Sequence, residues 1–399
     1  MTWPTARLDE IAEIVGGSTP RTGVAAYWNG DIPWVTPADL SSLSGHYIGE
    51  TPRMVTAEGL SNSGSKLLAA GSVLFSSRAP IGHVAINSVP MATNQGFKSL
   101  VPDQTRADAK YLYWWLRANK TYLQSLGNGA TFKEVSKAIV SRVEVPLPPL
   151  AEQRRIAAIL DQADELRTKR RRALTLLDEL ADSLFVDMFG DPVQNERGWP
   201  LAVMDEILDG IDSGTSPVCQ DRRATDGEWG VLKLGAISTG EYLPRGNNKA
   251  LLPNATPNRQ HEVKVGDVLF SRKNTMDLVG ASVFVGETPT QMLLPDLMFR
   301  LVLHQAVAIE AVFLQRMLAQ LSMRDRIRRL ASGSAASMSN ISKSKLLGLK
   351  VPVPPQTLQQ EFVERAAVLE SARQTVLSEK SLLDELFASL QHRAFRGEL

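Results

Sequence analysis

The sequence predicts a mixed α/β (α+β) protein. Two similar domains are separated by two long helices that form an antiparallel coiled coil, and a pseudo-two-fold axis relates the halves. An internal repeat predicts the duplication. Pro146-Leu147-Pro148-Pro149 returns as Pro352-Val353-Pro354-Pro355, a shift of 206 residues. The same shift carries Leu176-Leu177-Asp178-Glu179-Leu180 onto Leu382-Leu383-Asp384-Glu385-Leu386, Gln153 onto Gln359 and Phe189 onto Phe395. Shorter shifts relate Trp3-Pro4 and Asp9-Glu10-Ile11 to Trp199-Pro200 and Asp205-Glu206-Ile207, and Val73-Leu74-Phe75-Ser76 to Val268-Leu269-Phe270-Ser271. Self-similarity of this kind marks a repeated structural unit. The second observation is that residues 151–188 contain no Gly or Pro and place apolar residues on a heptad. Such a pattern indicates a coiled-coil helix.

The elements follow in chain order. Residues 1–149 form the first domain. They are rich in turn residues and short β-patterned runs such as Gly71 to Phe75 and Val84 to Ile86, with a helical pattern over 108–124. The PLPP cluster cannot continue a helix or a central strand, so it closes this domain. Residues 150–190 are the first long helix. Its seam is read as Ile156, Ala163, Leu177 and Leu184, with Ile159, Leu166, Ala173 and Leu180 three residues later. Residues 191–355 are the second domain, with strands near Gly266 to Phe270 and Ser282 to Val285 and a helical pattern over 308–330. Residues 356–399 are the second long helix, with Phe362, Leu369, Val376, Leu383 and Leu390 in the seam and Ala372 and Leu386 three later. The alternative is an amphipathic helix packed only on its own domain. If the helices pair along their length, chain connectivity makes them antiparallel. About 38 residues at about 1.5 Å each would then hold the two heads on the order of 57 Å apart. Arg170, Arg365 and Glu379 interrupt the seam, and an Arg170–Glu379 ion pair would fix its register.

Composition bounds the function. The chain has 399 residues, 43% hydrophobic and 22% charged, and its 44 Lys+Arg against 43 Asp+Glu give a net charge of +1. This excludes a grossly basic binder but not local basic faces. The single cysteine, Cys219, allows no internal disulfide or thiolate cluster. With neither an apolar signal core at the start nor a run long enough to span a membrane, the expectation is a cytoplasmic protein without membrane contact. Ser63-Gly64-Ser65-Lys66 lacks the spacing of a phosphate-binding loop, Gly127-Asn128-Gly129 stops short of a dinucleotide fingerprint, and no GxSxG elbow occurs. The five histidines are scattered without metal-ligand spacing. Glu262-Val263-Lys264 resembles a nuclease fragment but has no counterpart in the first copy, and the [DN]PP[YF] signature of amino-methyltransferases is missing. The expectation is no catalytic residue, no metal site and no cofactor in this chain.

Two similar heads related by a two-fold suit duplex DNA read at two separated sites. Equivalent polar loops supply candidates for contact: Thr19, Ser76, Arg78, Asn94, Gln95, Thr131 and Lys133 in the first copy, and Thr215, Arg272, Lys273, Asn274 and Ser337 in the second. Arg, Asn and Gln can make bidentate contacts to base edges, while Ser, Thr, Lys and backbone N–H groups suit phosphates. Each loop could equally be a capping turn. The basic runs Arg167 to Arg172 and Arg324 to Arg329 could face phosphates or only water. A stand-alone DNA methyltransferase or nuclease, and a two-headed protein-binding scaffold, are the competing readings.

Further residues carry a family likeness. Pro146-Leu147-Pro148-Pro149-Leu150-Ala151-Glu152-Gln153-Arg154-Arg155-Ile156, Met188-Phe189-Gly190-Asp191-Pro192 and the terminal Ala394-Phe395-Arg396-Gly397-Glu398-Leu399 resemble the specificity (S) subunit of Type I restriction-modification systems over essentially the whole chain. Each head then resembles a target-recognition domain. The resemblance implies a non-catalytic subunit that reads a split target, one half per domain, with a spacer set by the helices. It implies two modification (methyltransferase) subunits carrying S-adenosylmethionine as partners, and restriction subunits that add ATP and Mg²⁺. It also points to Gln153, Ile156, Leu166, Leu177, Leu180 and Leu184, with Gln359, Phe362, Leu369, Leu383, Leu386 and Leu390, as coiled-coil and subunit interface. In the second copy Leu358 and Phe362 replace Glu152 and Ile156, which separates the two helix starts as partner contacts.

Overall fold

The computed structural model describes residues 3–78, 80–128, 133–332 and 338–399. The chain divides into two units. One comprises residues 1–172 with 377–399, the other residues 173–376. The spatial boundary thus runs through both long helices, Leu150–Phe189 and Gln356–Ala394, and each unit takes half of each helix.

In the first unit a five-stranded sheet runs in the order Ala12–Gly16, Lys98–Pro102, Val73–Phe75, Val84–Asn87, Tyr47–Ile48. A second sheet places Trp28–Val35 between antiparallel Met54–Val55 and parallel Ala92–Thr93. The second unit repeats the plan. Leu208–Ser213, Met298–Leu303, Val268–Ser271 and Ser282–Phe284 form one sheet. Gly230–Leu232 lies between antiparallel Asn248–Ala250 and parallel Met292–Leu293 in the other. The architecture is mixed α/β in both units.

The repeated motifs have repeated jobs. A short strand, Thr5–Arg7, pairs antiparallel with Glu144–Pro146, and Leu201–Val203 pairs likewise with Lys350–Pro352. The Trp-Pro pairs extend these ladders: Leu147 N donates to Pro4 O at 2.7 Å and Val353 N to Pro200 O at 2.8 Å. Glu10 and Glu206 accept the backbone N–H of Arg7 and Val203 at 3.2 and 3.0 Å, holding the first turn of the helices they occupy. The last proline of each cluster opens a long helix, because Gln153 N donates to Pro149 O at 3.0 Å and Gln359 N to Pro355 O at 3.2 Å.

Each helical pattern between the sheets splits into two helices. Ala109–Ala118 and Lys120–Ser125 are separated by Asn119, and Ala311–Ala319 and Leu321–Arg328 by Gln320. The first of each pair fills the core of its unit. Tyr111, Tyr113 and Trp114 are buried beside Ile156, Leu160, Phe387 and Ala394 from the long helices. Phe313 is buried with Phe185, Phe189 and Phe362 in the other unit. The ring pair Tyr111–Phe395, with centroids 5.6 Å apart, has its counterpart in Phe313–Phe189 at 4.8 Å. That pairing gives the Phe189/Phe395 repeat its physical role.

Within each unit the two helix halves run antiparallel. In the first, Arg167 meets Asp384 at 2.6 Å and Arg170 meets Glu379 at 3.1 Å, so partner numbers fall as residue numbers rise. In the second, Asp178 meets Arg373 at 2.8 Å and Phe185 packs on Phe362. The seam differs from the sequence reading in one respect. Its second position lies four residues after Ile156, Ala163, Leu177 and Leu184, not three, at Leu160, Arg167, Ala181 and Met188. The second helix behaves alike, with Ala366, Arg373, Lys380, Phe387 and Ala394. Leu166, Leu180 and Leu386 are about half exposed and lie off the seam, at 48%, 52% and 51%. Leu177, Leu184, Leu369, Leu383 and Leu390 are partly buried. Both spacings suit a helix of 3.6 residues per turn, and only the partner's position selects one.

Candidate nucleic-acid interface

Three short segments meet at one edge of each unit, and backbone hydrogen bonds fix how they meet. In the first unit Ser77 N and Arg78 N both donate to Gly96 O, at 2.7 and 3.3 Å. In the second Arg272 N and Lys273 N donate to Leu297 O, at 3.1 and 3.3 Å. Val135 N donates to Ser77 O and Ile341 N to Arg272 O, each at 2.9 Å, so a fourth segment docks the same way in both. Glycine admits the segment that precedes Thr19 and Thr215. A Cβ on Gly17 would lie 2.0 Å from Asn94 O, and one on Gly214 would lie 1.7 Å from Leu294 O. Only a residue without a side chain lets the backbones come so close.

In the first unit the cluster brings together most of the expected residues. Thr19 donates its hydroxyl to Gln95 Oε1. Asn94 Oδ1 accepts Gly96 N at 2.9 Å, which shapes the turn that presents Gln95. Arg78 donates to Glu134 at 2.8 Å, and Lys98 meets the same carboxylate at 3.1 Å. Burial alone would raise the Glu134 carboxyl, but the hydrogen bonds from Arg78 and Lys98 hold it below its ordinary value. Thr36, Arg78, Asn94 and Gln95 line an open cleft there. Lys133 is exposed at the edge of the fourth segment. Ser76 is different: it is fully buried, donating to Pro80 O and accepting from His83 N, both at 2.8 Å. It holds the loop and has no free face for DNA. Thr131 and Ser337 lie outside the described residues.

The second unit repeats the arrangement with other side chains. Thr215 is exposed, and its neighbour Ser216 donates to Asp296 Oδ1. Lys273 Nζ lies 3.7 Å from Asp296 Oδ2. Arg272 stacks on Phe299 and reaches Asn340 at 3.4 Å. Asn274 is only 7% exposed and spends its amide on Ser238 and Ser271, so it is a framework residue, not a contact. Asp296, Glu134 and Asn340 escaped the sequence reading, which compared polar loops of similar composition. The signal that finds them is register relative to the Gly96 and Leu297 carbonyls.

Several members of the basic runs are engaged within the fold. Arg167 pairs with Asp164 and Asp384, Arg170 with Glu379 and Lys169 with Glu165. Arg324 and Arg328 donate to Asp277 O at 3.3 and 2.8 Å and brace the loop that follows Asn274. Burial, with Arg328 adding to it, draws Arg324 down to about 10.

Gln153 and Gln359, expected at an interface with other subunits, are fully buried within their own units. Gln153 Nε2 donates to Arg106 O and Pro148 O at 2.8 and 2.9 Å, and its Oε1 accepts Asp108 N at 2.8 Å. Gln359 does the same with Ala308 O, Pro354 O and Glu310 N at 3.1, 2.8 and 2.9 Å. Ile156 and Phe362 are likewise core residues. Among the described residues, no helix is long and apolar enough to cross a membrane.

Residues 1–176 match the family of Type I restriction modification DNA specificity domains. The chain is 33% identical over 231 residues to the Type I restriction enzyme MjaIX specificity subunit of Methanocaldococcus jannaschii, covering 54% of this chain and 53% of that one. It is 29% identical over 198 residues to the EcoEI specificity subunit of Escherichia coli, covering 47% and 33%. The chain thus spans about half or less of these curated relatives. Its fold resembles the crystal structure of a Type I S subunit from M. genitalium, with a TM-score of 0.61, 15% identity, and 99% and 96% of the two chains covered.

Proposed function

We propose that the chain, whose residues 1–176 match the Type I restriction modification DNA specificity domain family, is a Type I specificity subunit that reads a bipartite duplex DNA target, one half-site through each unit's loop cluster. The observation that carries this reading is the duplication of one backbone framework, built on the Gly96 and Leu297 carbonyls, under two different sets of exposed polar side chains. A common frame with exchangeable side chains suits reading two different short sequences in one manner. The partners are two modification subunits, and restriction subunits join the same complex. In this reading the chain makes and breaks no bonds. S-adenosylmethionine belongs to the modification subunits, and ATP and Mg²⁺ to the restriction subunits. The nuclease-like Glu262 supports this, since it is engaged in a turn: its Oε1 accepts the N–H of Gln291 at 2.8 Å, a residue with φ of +65°.

The test uses the chain assembled with its modification subunits and a pool of duplexes randomised over about 20 base pairs. Enrichment of a two-part motif is expected, with binding that weakens by a log–log slope of about −0.9 per phosphate contacted as salt rises. A pool that stays random, or binding indifferent to salt, would refute the reading. The purified chain with S-adenosylmethionine or Mg²⁺ and plasmid DNA should give no turnover, and methylation or cleavage there would overturn the non-catalytic assignment.

A further inference from the structure

Gln95 and Asp296 occupy the same place in the two copies of the framework. Each directly precedes the residue, Gly96 or Leu297, whose carbonyl takes two backbone N–H groups from the neighbouring loop. A hydroxyl from the same preceding loop stands behind each: Thr19 donates to Gln95 Oε1, and Ser216 to Asp296 Oδ1. Gln95 is exposed, and the Asp296 side chain is 42% exposed. We propose that these two are specificity-determining residues, Gln95 selecting an adenine in one half-site and Asp296 a cytosine in the other. The inference rests on the DNA-reading function proposed above and adds the base read at one position in each half.

The argument is one of donors and acceptors. A glutamine amide has two donors on nitrogen and two lone pairs on oxygen. Thr19, donating to Oε1, uses one lone pair and holds the amide in place. What remains is the Nε2 donor beside one acceptor. In the major groove adenine shows the acceptor N7 beside the donor N6, the complementary pair. Asp296 has no donor to offer. Ser216 occupies Oδ1 and Lys273 lies 3.7 Å from Oδ2, which leaves lone pairs only. Cytosine presents a lone donor, N4, whereas guanine and thymine present oxygen acceptors and adenine adds N7 beside its donor. An acceptor-only side chain is therefore matched by cytosine and opposed by the others. The substitution of Asp for Gln at one framework position thus changes the base that fits while leaving the frame unaltered.

The experiment repeats the duplex selection with Gln95→Glu and Asp296→Asn, each in the full chain with its modification subunits. With Gln95→Glu, one adenine position in one half-site should lose preference about ten- to a hundred-fold, with cytosine gaining there. With Asp296→Asn, one cytosine position in the other half should shift toward adenine. Thr19→Val should blunt the first preference without moving it to another base, because it removes only the group that orients the amide. The half-site read by the unaltered unit reports folding in every variant. An unchanged motif in Gln95→Glu and Asp296→Asn overturns the assignment while leaving the DNA-reading function intact. Absence of any motif for the unaltered chain overturns both.

Discussion

Replacing Gln153 by leucine tests whether the twin glutamines anchor the long helices to their heads. Gln153 is 0% exposed and makes three hydrogen bonds, to Arg106 O, Pro148 O and Asp108 N. Leucine is close in size, so Gln153→Leu opens little cavity and removes the polar contacts. Each neutral hydrogen bond contributes about 1 kcal/mol net, and leaving a partner unpaired inside adds to that. Two carbonyls and one N–H lose their partner here, so the expected loss is about 3 kcal/mol. At a urea dependence of roughly 2 kcal/mol per M this lowers the unfolding midpoint of the first unit by about 1.5 M. The assay is a urea titration read by hydrogen exchange at amides of each unit, since the two need not unfold together. Gln359→Leu should cost the second unit a similar amount. The glutamines share no partner, so the double variant should equal the two single losses within about 0.5 kcal/mol. A loss below about 1 kcal/mol for Gln153→Leu would show that the three bonds are replaceable by water or by a shift of the helix start, and would refute the anchoring role.

Exchanging residues 1–145 for another head should alter one half of the DNA motif and leave the other unchanged in the duplex selection; a change in both would sink the modular reading. Inserting one heptad into each long helix should alter the spacer between half-sites and not their sequences, read by mapping methylated adenines in cells that carry the partner subunits. Burial raises the Asp164 carboxyl, but His46, Arg117 and Arg167 more than offset this and hold it below its ordinary 3.8. A depressed folded value gives stability that is present above the ordinary carboxylate range and lost as pH falls through the folded value. The first unit should therefore weaken below about pH 4, and Asp164→Asn should flatten that loss; a wild-type-to-variant difference that is constant from neutral to acid pH would contradict it. Arg170 and Glu379 are each 42% exposed, so a double-mutant cycle should give a coupling of only about 0.2–1 kcal/mol. Zero coupling would remove the pair as a register device.

The repeat, the long helices, their antiparallel pairing and the proline-bounded heads were legible because each is written in backbone-scale signals: period, helix breakers and Gly/Pro-free length. The second seam position was not. Ile159, Leu166 and Leu180 supply apolar residues three after the first position, whereas the true positions include Arg167, Arg373 and Lys380, which an apolar count rejects. Arg167 takes its seam place by laying its guanidinium on the Phe387 ring, 4.3 Å from the ring centre, while bonding Asp384. Long basic side chains can cover apolar surface in this manner, so seam membership depends on a partner that no single helix reveals.

The same distinction separates frame from side chain in the loops. The repeat shift of 206 carries Arg167 onto Arg373 and Asp178 onto Asp384, so Arg167–Asp384 and Arg373–Asp178 are one contact made twice. In an antiparallel pair of like helices, a residue that meets a given position on its partner is met in turn by that position's twin, the logic of a self-complementary interface. One sequence feature then serves both units. Arg170–Glu379 has no such twin, because the same shift leads to Val376 and Ala173, both apolar. Doubling constrains the helices, but it does not constrain the loop edges. There the repeated bonds run between backbone atoms, at the Gly96 and Leu297 carbonyls, and hold whatever side chains stand on them. Gln95 can face Asp296, Arg78 Lys273, and Glu134 Asn340 across the repeat without disturbing the fold. That freedom hid the loop-edge residues from a search for like residues at like spacing, and in the proposed DNA-reading role it would let the two halves of one chain fit unlike sequences.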